Sequence, residues 1–174
     1  MKRTSMIALL SAAAICAACA VQPRATATIH GTKAGSKITG TAAFTQIPKG
    51  LQVVVKLANV PPGKHGFHIH EVGNCGDGGK AAGGHFNPDN VPHGFLPKDG
   101  FSRAHAGDFG NVDIGPDGTG SLDLMLMGLT LSGDSTRNVV GRAVILHEKP
   151  DDFSQPTGNA GGRIGCGIIS TKKS

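Results

Sequence analysis

Residues 72–106 set the condition that the rest of the chain has to meet. The stretch is rich in Gly, Pro, Asn and Asp and carries no hydrophobic period of either the strand or the helix kind. An unstructured connection longer than about 12–15 residues is uncommon in a compact domain unless it is functional or disordered. A folded chain with this insert must hold it down. Two devices are present within it: Cys75, and the histidines His85, His93 and His105.

Around that insert the chain reads as strands. Ile38, Gly40, Ala42 and Phe44 alternate with polar or small residues, and Leu51, Val53, Val55 and Leu57 repeat the pattern. Period two marks a strand with one buried face. Further strands are expected at residues 67–71 and 110–114, the latter followed by the turn signal Pro116-Asp117-Gly118. Leu122, Leu124 and Leu126 share a face in the next, and residues 139–146 and 164–170 are two more, with about eight strands expected in all. No segment has the length and caps of an ordinary amphipathic helix. The 27 glycines show no Gly-X-Y period, which excludes collagen. Short strands joined by Gly/Pro turns predict an all-β fold, an eight-stranded antiparallel Greek-key barrel or sandwich. The hydrophobic fraction of 39% suffices for a core. The net charge of +5 is not clustered, so nucleic acid is not an expected partner, and a small anionic ligand fits better.

The first nineteen residues have the pattern of an export signal: Lys2 and Arg3, then an apolar run from Met6 to Ala20, too short for a membrane span. Two processing sites compete. Ala18-Cys19-Ala20 resembles the small-x-small site of a general signal peptidase. Residues 15–19 resemble a bacterial lipobox that would leave a lipidated Cys19 and a membrane attachment, although Cys16 stands where Leu is usual; this is the preferred expectation. Residues 20–27 are expected to be a linker and 28–174 the folded domain, placed in the periplasm or cell envelope. Of four cysteines, Cys16 and Cys19 fall in the leader, which leaves Cys75 and Cys166. In an oxidising compartment a disulfide between them is the default, and the chain-entropy model assigns a loop of that size roughly 4 kcal/mol.

Eight histidines are present. In His68-Ile69-His70 the two imidazoles share one face of a strand, a good bidentate site for copper or zinc. Asp108 follows His105 by three residues, across an expected turn. With His85 and His93 these make three imidazoles and a carboxylate, a closed tetrahedral zinc set that would also order the insert. Each histidine alone reads most simply as a solvated loop side chain. Six of them together, with an apolar strand leading to His147, weaken that reading.

Five separated stretches carry a resemblance. His65-Gly66-Phe67-His68-Ile69-His70-Glu71, Gly83-Gly84-His85-Phe86-Asn87-Pro88, His105-Ala106-Gly107-Asp108, residues 141–148 and residues 158–167 resemble, in order, copper/zinc superoxide dismutase of the bacterial exported type. The similarity runs from about Ala27 to Ser170. It implies copper held by His68, His70, His85 and His147, and zinc held by His85, His93, His105 and Asp108. His85 would be an imidazolate shared by the two metals and a proton donor. It also implies an intrachain Cys75–Cys166 disulfide, Asp151 as a carboxylate joining a copper ligand to a zinc ligand, and Arg163 docking superoxide beside the copper. The implied reaction converts two superoxide anions and two protons to dioxygen and hydrogen peroxide. The segment between residues 149 and 162 is short against many eukaryotic members, and the choice between monomer and homodimer stays open.

The remaining candidates have plainer expectations. His65 lies on the opposite parity from His68 and should be a satisfied structural histidine. His30 should be solvated, and Glu71 and Glu148 structural. A copper/zinc buffering or delivery protein on the same scaffold would lack a ligand or Arg163, or carry a Met/His-rich tail; none of these marks is present. A zinc hydrolase using His68, His70 and Glu71 would need an open zinc, and there are more imidazoles here than one zinc can use.

Overall fold

The computed structural model describes residues 22–171, so the expected leader, with Cys16 and Cys19, lies outside the described residues. Nine strands form: β1 (Arg24–Gly31), β2 (Thr39–Ile47), β3 (Gly50–Ala58), β4 (Gly63–His70), β5 (Asp108–Ile114), β6 (Gly120–Met127), β7 (Ala143–His147), β8 (Arg163–Ile168) and the two-residue β9 (Ser170–Thr171). They pair antiparallel in the order β2-β3-β6-β5-β4-β7-β8-β1-β9. The additional pairing of β1 with β2 closes the sheet into an eight-stranded barrel, with β9 a short continuation beyond β8. Closure leaves no long free edge. The pairings of β3 with β6 and of β4 with β7 skip the next strand in sequence, which is the Greek-key connection.

The period-two segments bury the faces expected of them. Phe44 and Ala42 on β2, and Leu51, Val53, Val55 and Leu57 on β3, point into a core shared with Ile29, Phe67, Phe109, Leu126 and Leu146. At Gly167 on β8 the backbone of β1 comes so close that a Cβ would strike the carbonyl of Thr28, so only glycine allows this packing.

Three boundaries differ from the sequence reading. β4 starts at Gly63, four residues before its expected start, because Gly63-Lys64-His65-Gly66 has no apolar side chain to show a period. The linker ends early, because residues 24–27 are the first half of β1, paired with Thr45 through Ala42. Their alternation is Thr against Ala, with Ala25 and Ala27 buried, and small residues give little hydrophobic contrast. The strand expected from residue 139 starts instead at Ala143. Val139 is fully buried but sits in a turn held by the backbone bond from its N–H to the Thr130 carbonyl. An apolar run does not by itself separate a strand from a buried turn.

The insert is pinned as its composition requires. A 3-10 segment (Asp77–Ala82) and one four-residue helix, α1 (Leu96–Asp99), are its only regular elements. Backbone bonds strap it to the end of β4: Ile69 N–H to Gly107 O, Phe86 N–H to Ile69 O, and Glu71 N–H to Gly84 O. Cys75 and Cys166 form a disulfide with Cα atoms 5.8 Å apart. With Ala82, Ala143 and Ile145 it makes a small second core outside the barrel. β7 is therefore covered on both faces and buried at every residue.

Candidate metal centre

Six histidines and two aspartates come together where the strapped insert meets the barrel wall. β4 supplies His68 and His70, β7 ends on His147, and β5 opens on Asp108. The insert supplies His85, His93 and His105, and the connection from β7 to β8 supplies Asp151. All eight are buried, none more than 7% exposed. Donor atoms gather into one group of His68, His70, His85 and His147 and a second of His85, His93, His105 and Asp108. His85 belongs to both. Its ring centroid lies 4.2 Å from that of His68 and 5.3 Å from that of His93.

Asp108 is the hub of the second group. One of its oxygens, Oδ1, lies 2.8 Å from His85 Nδ1 and 3.1 Å from His105 Nδ1. Its Oδ2 accepts the backbone N–H groups of Gly94 and His105, each at 2.9 Å. Burial alone would raise this carboxyl. The hydrogen bonds from His105, His85 and the Gly94 amide, with the His93 ring close against it, outweigh burial and hold the group far below the usual carboxylate range.

Asp151 spans the two groups from behind. Its Oδ2 is 2.8 Å from His68 Nε2 and its Oδ1 3.0 Å from His93 Nε2. Both rings thereby turn their other nitrogen inward. His68 Nδ1 and His93 Nδ1 are the buried side-chain atoms without a hydrogen-bond partner among the described residues. His93 Nδ1 lies 2.8 Å from Asp108 Oδ2 but off the line of a hydrogen bond, side by side as two ligands of one ion would be. Leaving two polar atoms bare in a dry interior is costly unless something fills the space between donors. A cation in each group would satisfy both, so the donor set fits a pair of metals.

Burial keeps three of these imidazoles, His70, His85 and His147, neutral, the form that binds metal. Desolvation, reinforced by neighbouring imidazoles and Arg163, lowers His70 to about 2 and His147 to about 3. It lowers His85 to about 4, against the raising effect of Asp108. His93 runs the other way. Burial would lower it, but Asp108 and Asp151 together raise it to about 9.

Outside the first group, a cavity of about 180 Å³ is lined by His70, His85, His147, Thr157 and Arg163 among others. Arg163 Nη1 donates to Gly79 O and Lys80 O, and Nη2 to Gly83 O. The same Gly83 carbonyl accepts from His70 Nδ1 at 3.0 Å. A larger cavity, about 320 Å³, lies beside the disulfide and away from the histidine cluster.

The other candidates fall where their plainer readings put them. His65 is buried with its ring between the carbonyls of His147 and Pro61, His30 is exposed, and Glu71 caps the Gly84 amide. One residue escaped the sequence reading. Gln155 accepts the His93 N–H at 3.0 Å and donates to the His93 carbonyl at 2.9 Å, clamping that backbone from both sides. A lone glutamine in a loop carries no signal of such a contact.

A closed antiparallel barrel carrying two histidine-rich donor sets that share one ring is a scaffold that could hold metal ions. The family model for copper/zinc superoxide dismutase matches residues 38–169. The chain is 41% identical over 140 residues to superoxide dismutase [Cu-Zn] 2 of Brassica juncea, covering 76% of this chain and 89% of the relative. A solved structure, the crystal structure of the clock protein EA4, superposes with a TM-score of 0.75 at 39% identity, over 86% of this chain and 94% of that one. The chain belongs to the copper/zinc superoxide dismutase family. It is an oxidoreductase acting on superoxide, and the cofactors are copper and zinc.

Proposed function

We propose that His68, His70, His85 and His147 hold the copper and that His85, His93, His105 and Asp108 hold the zinc, with the His85 imidazolate between them. The observation that carries this is the sharing of His85 by both donor sets, with one orphaned Nδ1 in each: His68 in the first and His93 in the second. Four imidazoles serve a metal that changes oxidation state, while three imidazoles and a carboxylate make a closed set suited to zinc.

Copper, when bound, supplies the one-electron cycling between Cu(II) and Cu(I) that disproportionates superoxide. The chain does the rest. Arg163 keeps its charge at any relevant pH and is fixed by three loop carbonyls at the mouth of the cavity. Its remaining N–H groups are free to hold a superoxide anion. The adjoining cavity is lined by Lys33 and Lys80 and also by Asp77 and Glu148, which offset each other and leave Arg163 as its unbalanced charge. His85 Nε2 takes up a proton and gives it to the reduced oxygen species, acting as a general acid. Asp151 acts through His68 and His93, fixing both rings by their Nε2 atoms.

Arg163→Ala should slow dismutation about tenfold or more, the order of one charge-assisted hydrogen bond, with copper and zinc still bound and the rate less sensitive to salt. An unaltered rate would remove Arg163 from its role. Gln155→Ala should weaken zinc binding roughly tenfold by freeing the His93 backbone, measured by competition with a chelator. Zinc affinity equal to that of the parent protein would show the clamp to be idle.

We further propose that the protein is exported to the periplasm or cell envelope and that Cys19 is lipidated and attaches it to a membrane. The basic, apolar and small-residue pattern of residues 1–19 and a disulfide suited to an oxidising compartment support this. Mass spectrometry of the mature N-terminus tests it. An acylated Cys19 is expected, and an unmodified N-terminus at any other residue would contradict it.

A further inference from the structure

Met125 and Met127 are the only methionines beyond residue 6. They stand two apart on β6, so they share a face, and it is the outer one: Met125 is 64% exposed and Met127 51%. The inner face of that strand belongs to Leu122, Leu124 and Leu126, and the other outward positions are Ser121 and Asp123. The core makes no use of the two thioethers. On an enzyme whose product is hydrogen peroxide they are also open to oxidation, so packing does not account for them. Beside them a cavity of about 260 Å³ separates β6 from the α1 loop, lined by Leu96, Pro97 and Phe101 together with both methionines.

Thioether sulfur is a soft, uncharged donor that selects Cu(I) over Zn(II) and over harder cations. Same-face neighbours on a strand are about 7 Å apart along the backbone, a span that two flexible methionine side chains can close on one ion. The pair lies on a different strand from every histidine of the buried centre. We propose that Met125 and Met127 form a surface site for Cu(I), separate from the dinuclear centre. Unlike imidazole, a thioether has no proton to gain in mild acid, so this site keeps its affinity where exposed histidines lose theirs.

The test is an anaerobic titration of the copper- and zinc-loaded protein with Cu(I), in competition with bicinchoninate, at pH 7 and pH 5. One further Cu(I) per chain is expected, with affinity unchanged between the two pH values. The double variant M125L/M127L should lose that ion while keeping its dismutase activity, and each single variant should weaken binding at least tenfold. Failure to take up a further Cu(I) would overturn the site. So would uptake that is equal in M125L/M127L, or that falls away at pH 5 as an imidazole site would.

Discussion

Asp108→Asn should abolish zinc binding at ordinary concentrations and lower stability by about 3–5 kcal/mol, the usual result of breaking a buried charged network from one side. The reason is donor counting. Asp108 offers one oxygen to the Nδ1 atoms of His85 and His105 and the other to the backbone N–H groups of Gly94 and His105. An asparagine of the same shape replaces one oxygen by an NH₂. If that NH₂ faces the two backbone N–H groups, donors meet donors. If it faces the imidazoles, it displaces the ligand oxygen from the metal position. Neither rotamer satisfies the site. Zinc content by elemental analysis and melting temperature would both read the change. A variant that retained zinc and melted with the parent protein would show that Asp108 is not the hub of its group.

Cys166→Ser should cost on the order of 4 kcal/mol, because the cross-link ties residues 91 apart and its loss frees a large loop in the unfolded chain. For a domain of this size that is roughly 8–16 °C in melting temperature, at a few degrees per kcal/mol. A second effect is expected on activity. The insert held by Cys75 also presents the Gly79, Lys80 and Gly83 carbonyls that fix Arg163. Loosening it should lower turnover with no change to a metal ligand. Melting temperature and specific activity equal to the parent's would mean that the bond neither stabilises the fold nor braces the arginine.

The barrel was legible in the sequence wherever one face of a strand met water. β2, β3 and β6 alternate because their outer faces are solvated. β7 hides its boundary because the insert covers its outer face, so period two disappears and Val139 reads as strand when it is turn. β1 was lost to the linker because alanine against threonine leaves almost no contrast. The donor residues were legible only as a set. His68-Ile69-His70 gave a face, the ordered motifs supplied His85, His105, Asp108 and His147 as expectations, and His93 came from the histidine-bearing insert between them. Which nitrogen of His68 and of His93 points inward was not legible, since it depends on Asp151, far away in the chain. Gln155 was invisible for the same reason: its contact with His93 exists only once the β7–β8 connection folds over the insert.

Anomalous scattering from crystals of the copper- and zinc-loaded protein, collected at both absorption edges, decides whether one histidine joins two metals here. Two peaks per chain are expected, copper among His68, His70, His85 and His147 and zinc among His85, His93, His105 and Asp108, with the His85 ring between them. A single peak, or a fully loaded protein in which His85 touches only one ion, would contradict the shared-ring centre.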